Sequence, residues 1–416
     1  MTPVPVLWRR SLHLLAGLLP AAYGVWRWGS PLSVHSLLLA GGLFYTVWVV
    51  LRRGRYAPYL GEFAQIAVTI IFLDLALRHV ELARLWEVLK DLEFPLLLWG
   101  MATFTVGVWF RGYRWYFLLE EKGKVAIRDA VFTTYVSYFG NYALPARAGE
   151  VLRIVVLGQR TGLSKTKITA SVALEKLSDL LALVAMVVYL IGFTSLAGPT
   201  LRWLAWTGGA LALVLIGALL AVILLRKQLP LPRDADGNPA AGRFRRAIHN
   251  FVEGMRPASD PVHLGQFFLH SAISWVLIAY SCYAFLDAEG LVRWLEGASR
   301  VGPVASTMLL VILVNASTLI PAGPGSAGPY QAAVLLSFGL LGTGATVAGT
   351  EAYHNAAAFS IVYWVGHAVP SLVVGGFLFF RSDLTLQLLR SAEREATERV
   401  IPQDNSVEGA SDEVIA

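Results

Sequence analysis

The sequence predicts an all-α, polytopic integral membrane protein with about ten transmembrane helices plus re-entrant broken-helix segments. Composition leads there first: of 416 residues, 56% are hydrophobic and only 15% charged, where a soluble globular chain carries roughly 25%. So few charges cannot cover the surface of a chain this long, and a soluble enzyme is excluded. The mean hydropathy of +0.58 agrees. The 38 Gly, 19 Pro and 13 Trp fit a protein whose spans tolerate Gly and Pro and whose Trp residues gather at the membrane interfaces.

A bilayer core about 30 Å thick needs about 20 apolar residues in helix. Runs of that kind occupy 11–28, 33–51, 62–79, 94–117, 168–193, 201–225, 264–286, 303–320, 329–348 and 355–380. The stretch 130–144 is too short to span. The first run carries Pro20, Trp26 and Arg27 and lacks a small-residue cleavage pattern, so no cleavable signal is expected.

Charge then sorts the loops. Arg9 and Arg10, Arg52, Arg53 and Arg55, the stretch 144–167 and the loop 226–260 are basic, whereas 80–93 and 287–302 are acidic. The positive-inside rule places both termini in the cytoplasm, provided 130–144 enters and returns on the cytoplasmic side as a re-entrant segment. The formal charge is +6; the tail from Arg381 on is acidic, and with 30 basic and 20 acidic residues before it, residues 1–380 carry +10. That excess reads as loops facing anionic lipid, not as a nucleic-acid surface. The single cysteine, Cys282, excludes an internal disulfide and a Cys-based metal site. No metal and no cofactor are expected. Three parts follow: a two-helix extension over 1–60, a membrane domain over 61–380, and a flexible acidic cytoplasmic tail over 381–416. Neither the tail nor the 226–260 loop is long enough for a folded catalytic domain.

Ionisable groups at membrane depth are costly and default to functional sites. One cluster holds Asn141, Pro145, Arg147, Gly149, Glu150 and Arg153, then Glu175, Lys176 and Asp179. Pro145 ends the short helix, and broken backbone at depth survives only against protein or water. A helix restarting after Pro145 puts Glu150 and Arg153 one turn apart, able to pair. Its first amides and Arg147 make an anion pocket suited to a lipid phosphate, which Arg grips as a fork. Glu175 and Asp179, four apart, share a face about 10 and 16 Å into their span. They need a cation such as Arg147 or Arg153, or a proton, for which Asp179 is the candidate. With Arg147, Arg153 and Lys176 against three carboxylates, the site is expected to be neutral when empty. The competing reading has Glu175, Lys176 and Asp179 reaching to a cytoplasmic interface.

A second broken stretch runs from Asn315 through Pro321 and Gly325 to Pro329. Asn, Pro and Gly recur there in the order seen in the first, and paired discontinuous segments point to a transporter's site, with an inverted repeat as one reading. An ordinary tight turn is the other. Arg111, Arg114 and Trp115 close a span and read as interfacial anchors. His354 and His367 read as hydrogen-bonded structural residues. The Asp234 and Asp236 pair reads as a solvated turn.

The run Asn141-Tyr-Ala-Leu-Pro145-Ala-Arg147-Ala-Gly149-Glu150-Val-Leu-Arg153, then Arg160-Thr-Gly-Leu-Ser164-Lys165 and Glu175-Lys176-Leu-Ser-Asp179, resembles the lysylphosphatidylglycerol synthase transmembrane region, or flippase-like family. Arg114-Trp115 and Pro321 to Gly328 match two further family elements, and the resemblance covers roughly residues 60–385. Gln331 stands where the family often has Glu. Family members fused to a soluble aminoacyltransferase make lysyl-phosphatidylglycerol and move it across the membrane. The resemblance therefore implies a stand-alone lipid translocase, not an enzyme, in a bacterial inner membrane. Its partners would be an anionic phospholipid or polyprenyl-linked lipid and the membrane, with an oligomer left open. The substrate-binding set is Asn141, Pro145, Arg147, Gly149, Glu150, Arg153, Glu175, Lys176, Asp179, Asn315, Pro321 and Gly325. The alternative is an integral membrane transferase acting on a lipid carrier or phospholipid, with Glu175 or Asp179 as base. The lack of a loop to house a nucleotide or aminoacyl donor speaks against it, and a membrane scaffold would not need buried charges.

Overall fold

Long apolar runs punctuated by Pro and Gly leave little but helices to form, and the computed structural model bears this out. It describes residues 67–74, 86–87, 89–119, 125–144, 148–196, 199, 202–203, 206–214, 217, 260–320, 322–345, 347 and 349–382; among them every regular element is helical. In chain order these are α1 (Phe94–Leu119), α2 (Ile127–Ala143), α3 (Gly149–Thr161), α4 (Lys165–Phe193), α5 (Pro261–Ala288), α6 (Leu291–Ala298), α7 (Pro303–Ser317), a single 3-10 turn (Pro324–Ser326), α8 (Pro329–Leu340) and α9 (Glu351–Pro370). A wider π-type turn at Ser371–Gly375 carries α9 into α10 (Gly376–Phe380). Pro370 lacks the N–H a regular turn would use there, which suits the widened turn.

Helix α1, 26 residues and so about 39 Å long, is the central element. One side faces lipid: Phe94, Leu98, Trp99, Val106 and Trp109 are exposed. The other is opened by glycines. An added Cβ at Gly100 would stand 2.7 Å from Phe285, and one at Gly107 3.2 Å from Ile278. Helix α5 therefore lies antiparallel against α1, with Ser274 Oγ donating to the Gly107 carbonyl at 3.2 Å. Small residues do this work in membranes because lipid supplies no hydrophobic push between helices, so close backbone approach must supply the attraction. Gly112 receives α2 in the same way: a Cβ added there would stand 2.6 Å from the Val131 Cα.

Helices α2 and α3 form an antiparallel hairpin. At its mouth Arg160 donates to Asp129 at 2.9 Å; at its tip a Cβ on Gly140 would meet the Gly149 Cα at 2.7 Å. The chain thus runs out along Ile127–Ala143 and returns along Gly149–Thr161. Gly162, in the left-handed region at φ 70°, ends α3 and lets the chain turn into α4.

The count of about ten spans is not confirmed. Among the described residues four helical stretches, Phe94–Leu119, Lys165–Phe193, Pro261–Ala288 and Glu351–Phe380, are long and apolar enough to cross a membrane, and the pair Leu291–Ala298 and Pro303–Ser317, bent by 103°, makes a fifth if it counts as one span. Runs 11–28 and 33–51 lie outside the described residues, as do the 1–60 extension and all of the tail but Arg381 and Ser382; 62–79 and 201–225 are described only in part. Run 329–348 is corrected outright: its helix stops at Leu340 after 12 residues, about 18 Å. Gly342 and Gly344, both with φ above 80°, turn the chain away.

Candidate functional site

Four helices bring their charges together. From α1 come Arg111 and Arg114, from α3 Glu150 and Arg153, from α4 Glu175, Lys176 and Asp179, and from α5 the hydroxyl of Ser271. Arg114 donates from Nη1 to Ser271 at 3.0 Å and from Nη2 to Glu175 Oε1 at 3.1 Å and Asp179 Oδ1 at 2.6 Å. Arg111 Nη1 reaches Asp179 Oδ2 at 3.4 Å. Arg153 Nη2 donates to Glu175 Oε2, and its Nη1 lies 3.7 Å from Glu150 Oε2. Lys176 Nζ closes the series on Glu150 Oε1 at 2.8 Å.

The result is a continuous ladder of alternating sign: Arg111, Asp179, Arg114, Glu175, Arg153, Glu150, Lys176. Its inner members are buried, with Arg114 at 0% and Glu175 at 2% side-chain exposure, and it reaches the protein surface at Lys176, at 47%. Aromatic faces fix the guanidiniums. Arg153 lies 3.5 Å from the Trp115 ring centre, Arg111 4.8 Å from Trp275 and Arg114 5.6 Å from Phe267. Such contacts are worth about 2 kcal/mol when desolvated. Trp115 is itself held by its indole N–H on Ser171 Oγ at 3.1 Å.

The expected pairing of Glu150 with Arg153 and the shared face of Glu175 and Asp179 are both present. Two expectations are corrected. Arg111 and Arg114 are not interfacial anchors but buried members of the ladder. Among the described residues Asp179 is answered by Arg111 and Arg114, not by Arg153, so it bridges two cations instead of standing as a lone buried acid. The described ladder holds four cations and three anions; the expected neutral balance counted Arg147, which lies outside the described residues. The i, i+3 spacing of Arg111 and Arg114, near the end of an apolar run, was the available signal, since it puts both on one face. Of Glu175, Lys176 and Asp179, Lys176 alone is well exposed. Pro145, Arg147 and Pro321 lie outside the described residues, as do Asp234 and Asp236.

Gly149 and Asn141 shape the hairpin tip above this ladder. A Cβ on Gly149 would fall 1.9 Å from the Ser137 carbonyl and 2.6 Å from Asn141 Oδ1; Asn141 is 8% exposed. The late broken stretch comes to the same tip. Gly325, at φ 63°, accepts from Trp364 Nε1 at 3.0 Å, and Trp364 meets the Tyr142 ring at 5.9 Å between centres. The two broken segments thus touch, through Tyr142. Asn315 is not drawn in: its amide donates to Val311 of its own helix at 2.7 Å. Gln331 caps α8 by accepting from the Gly328 N–H at 2.7 Å. His354 Nδ1 lies 2.8 Å from the Thr350 carbonyl, and His367 Nδ1 3.1 Å from the Tyr330 hydroxyl. Both are packed in the core. Among the described residues no group of His, Cys, Asp and Glu is placed to hold a metal ion.

Residues 63–384 match the family model described as the lysylphosphatidylglycerol synthase TM region. The chain is also similar to a protein of Haloferax volcanii named glycosyltransferase AglD, 27% identical over 385 residues, covering 84% of this chain and 59% of the relative. The chain thus spans about three fifths of the length of that curated relative. No solved structure matches the chain at a significant level. The expectation that the chain is not an enzyme is corrected here, because the relative bears the name of a glycosyltransferase.

Proposed function

This chain belongs to the lysylphosphatidylglycerol synthase transmembrane-region family, and on that premise we propose that it is an integral membrane transferase, or the membrane part of one, acting on a lipid carrier or phospholipid. The observation that carries the reading is the buried ladder itself. Seven ionisable side chains placed among apolar helices are too costly to keep as ballast, and their surplus is positive, which suits the anionic end of a lipid. The name of the Haloferax relative supports glycosyl transfer as the reaction class. Within that reading neither Glu175 nor Asp179 is the base. Both oxygens of each are held by arginines, so their part is to orient guanidiniums. The chain's own residues bind and position the lipid.

The test is a comparison of membranes from cells with and without the chain. Each is supplied with a labelled sugar donor, and the lipid extracts are resolved by mass spectrometry. Glycosylated lipid that depends on the chain supports the reading; identical lipid-linked sugar profiles overturn it.

A second reading, translocation of the same lipid between leaflets, is favoured by one observation: the two broken segments meet at Tyr142, Gly325 and Trp364. A fluorescent lipid flipped by purified protein in liposomes tests it. A bacterial inner-membrane location belongs to the same set of proposals.

A further inference from the structure

Away from the ladder, positive charge collects where the α2–α3 hairpin meets the start of α4. Asp129 is already held by Arg160 at 2.9 Å. Arg128, beside it, and Lys165, the first residue of α4, are exposed and make no ion pair among the described residues. The turn at Gly162 folds α4 back on α3, so a Cβ on Gly158 would stand 3.6 Å from the Lys165 stem. The connection between α1 and α2, residues 120–124, lies outside the described residues; it carries two acids and two bases, so it does not cancel these charges.

The chain leaves the bundle on this same hairpin. Phe379 of α10 packs on Val136 of α2 and Val156 of α3, and Phe132 packs on the same cluster. Arg160 lies over the Phe132 ring at 4.6 Å. Ser382, whose N–H donates to the Phe379 carbonyl at 3.2 Å, is the last described residue. Beyond it the sequence turns acidic: residues 400–416 hold Asp404, Glu408, Asp412 and Glu413 and no Lys or Arg. From Ser382 to Asp404 the chain can extend about 70 Å, at about 3.3 Å per residue. Helix α3, with 13 residues, is about 20 Å long, so the whole hairpin is within reach.

We propose that residues 404–413 of the chain's own acidic tail dock on this basic face, with Arg128 and Lys165 as their partners. Sign alone would suit an anionic leaflet too. The tail is favoured because it is anchored through Phe379 on the hairpin that carries the face, and tethering raises its local concentration to about the millimolar range. Exposed ion pairs are individually weak, so the docking relies on several of them, is reversible and is sensitive to salt. A docked tail takes up the charges with which this face would otherwise hold anionic lipid. Docking of this kind is independent of the reaction proposed above.

The experiment uses the full-length chain with Cys282→Ala in nanodiscs. Spin labels on Gln159→Cys, exposed near the end of α3, and on Ser406→Cys in the tail report their separation by pulsed electron paramagnetic resonance. In phosphatidylcholine a short-distance population is expected. Raising the salt from about 0.1 M to about 1 M cuts the screening length from about 10 to about 3 Å. That change is expected to reduce the population about fivefold. Arg128→Glu with Lys165→Glu is expected to abolish it. Adding Asp404→Lys, Glu408→Lys, Asp412→Lys and Glu413→Lys in that background is expected to restore it. Both face positions are exposed, and thermal unfolding checks that the variants keep the fold. A distance distribution untouched by the reversal, or not restored by the swap, overturns the proposal. If the reversal changes only the phosphatidylglycerol retained from mixed nanodiscs, read by native mass spectrometry, the face belongs to the leaflet and tail docking falls.

Discussion

Arg114 and Asp179 meet at 2.6 Å, between two helices that run antiparallel, with the arginine at 0% and the aspartate at 13% side-chain exposure. The same guanidinium holds Glu175, one turn earlier on α4, at 3.1 Å. One buried cation therefore reconciles two like charges that share a helix face. Arg114→Met leaves both carboxylates buried with a lost partner, and removing one member of a buried pair costs about 3–5 kcal/mol. The expected outcome is a large fall in unfolding temperature and in the monodisperse fraction on size-exclusion chromatography. Adding Asp179→Asn to the same chain should recover part of that loss. A single variant that melts with the wild type would remove the ladder from the account of stability.

Glycines give a second contrast. Gly149→Ala drives a methyl into the Ser137 carbonyl at 1.9 Å, while Gly192→Ala on α4 meets nothing within 4 Å. Overpacking costs about 1–3 kcal/mol or more when backbone must move, whereas Ala in an open helical site gains roughly 0.5–1 kcal/mol. Gly149→Ala should open the α2–α3 hairpin and lower the melting temperature; Gly192→Ala should hold or raise it. Equal behaviour of the two would contradict the close crossing at the hairpin tip.

How much of this was legible in the sequence depends on the physics of each feature. The runs 94–117, 168–193, 264–286 and 355–380 all fall inside long helices because apolar length is the whole requirement for crossing a bilayer. The Glu150–Arg153 and Glu175–Asp179 relations were legible because they follow from helix periodicity alone. The partners of Asp179 were not. Arg111 and Arg114 lie near the end of an apolar run, where anchoring and burial give the same local pattern. A span that is apolar on its lipid side and its protein side alike shows no stripe to tell them apart. The contact of Gly325 with Tyr142 and Trp364 joins segments far apart in the chain, and nothing local encodes it. Run 329–348 misled because its composition is apolar throughout while Gly342 and Gly344 turn the backbone.

Orientation gives a third prediction. The Glu93 N–H donates to the Ala288 carbonyl at 2.8 Å, so α1 begins where α5 ends, and α4 begins at the opposite end of α1. With the loop charges setting the side, we propose that residues 289–302 face out and the start of α4 faces the cytoplasm. After Cys282→Ala, a cysteine at Arg293 should be labelled by an impermeant maleimide in intact cells, and one at Lys165 only after permeabilisation. The reverse pattern would invert the topology.

The last prediction concerns Glu289, just beyond the end of α5. Both of its carboxylate oxygens are buried without a hydrogen-bond partner, and burial pushes its carboxyl well above the usual carboxylate range. The negative end of the α5 dipole, which it caps, works in the same direction. The sign follows from comparing the two states. Below the ordinary value of about 4.3, folded and unfolded chains are both protonated there, and the residue carries no penalty. As pH rises, the unfolded chain ionises first while the folded chain keeps its proton, so stability falls by about 1.4 kcal/mol per pH unit until the folded carboxyl ionises too. Glu289→Gln keeps the shape of the neutral acid and cannot ionise. Its unfolding temperature should therefore match the wild type near pH 4 and exceed it by a margin that widens toward pH 8. The measurement is a thermal melt of both proteins in detergent across that range. A constant gap, or one that narrows as pH rises, would mean that Glu289 is solvated or paired in the folded protein.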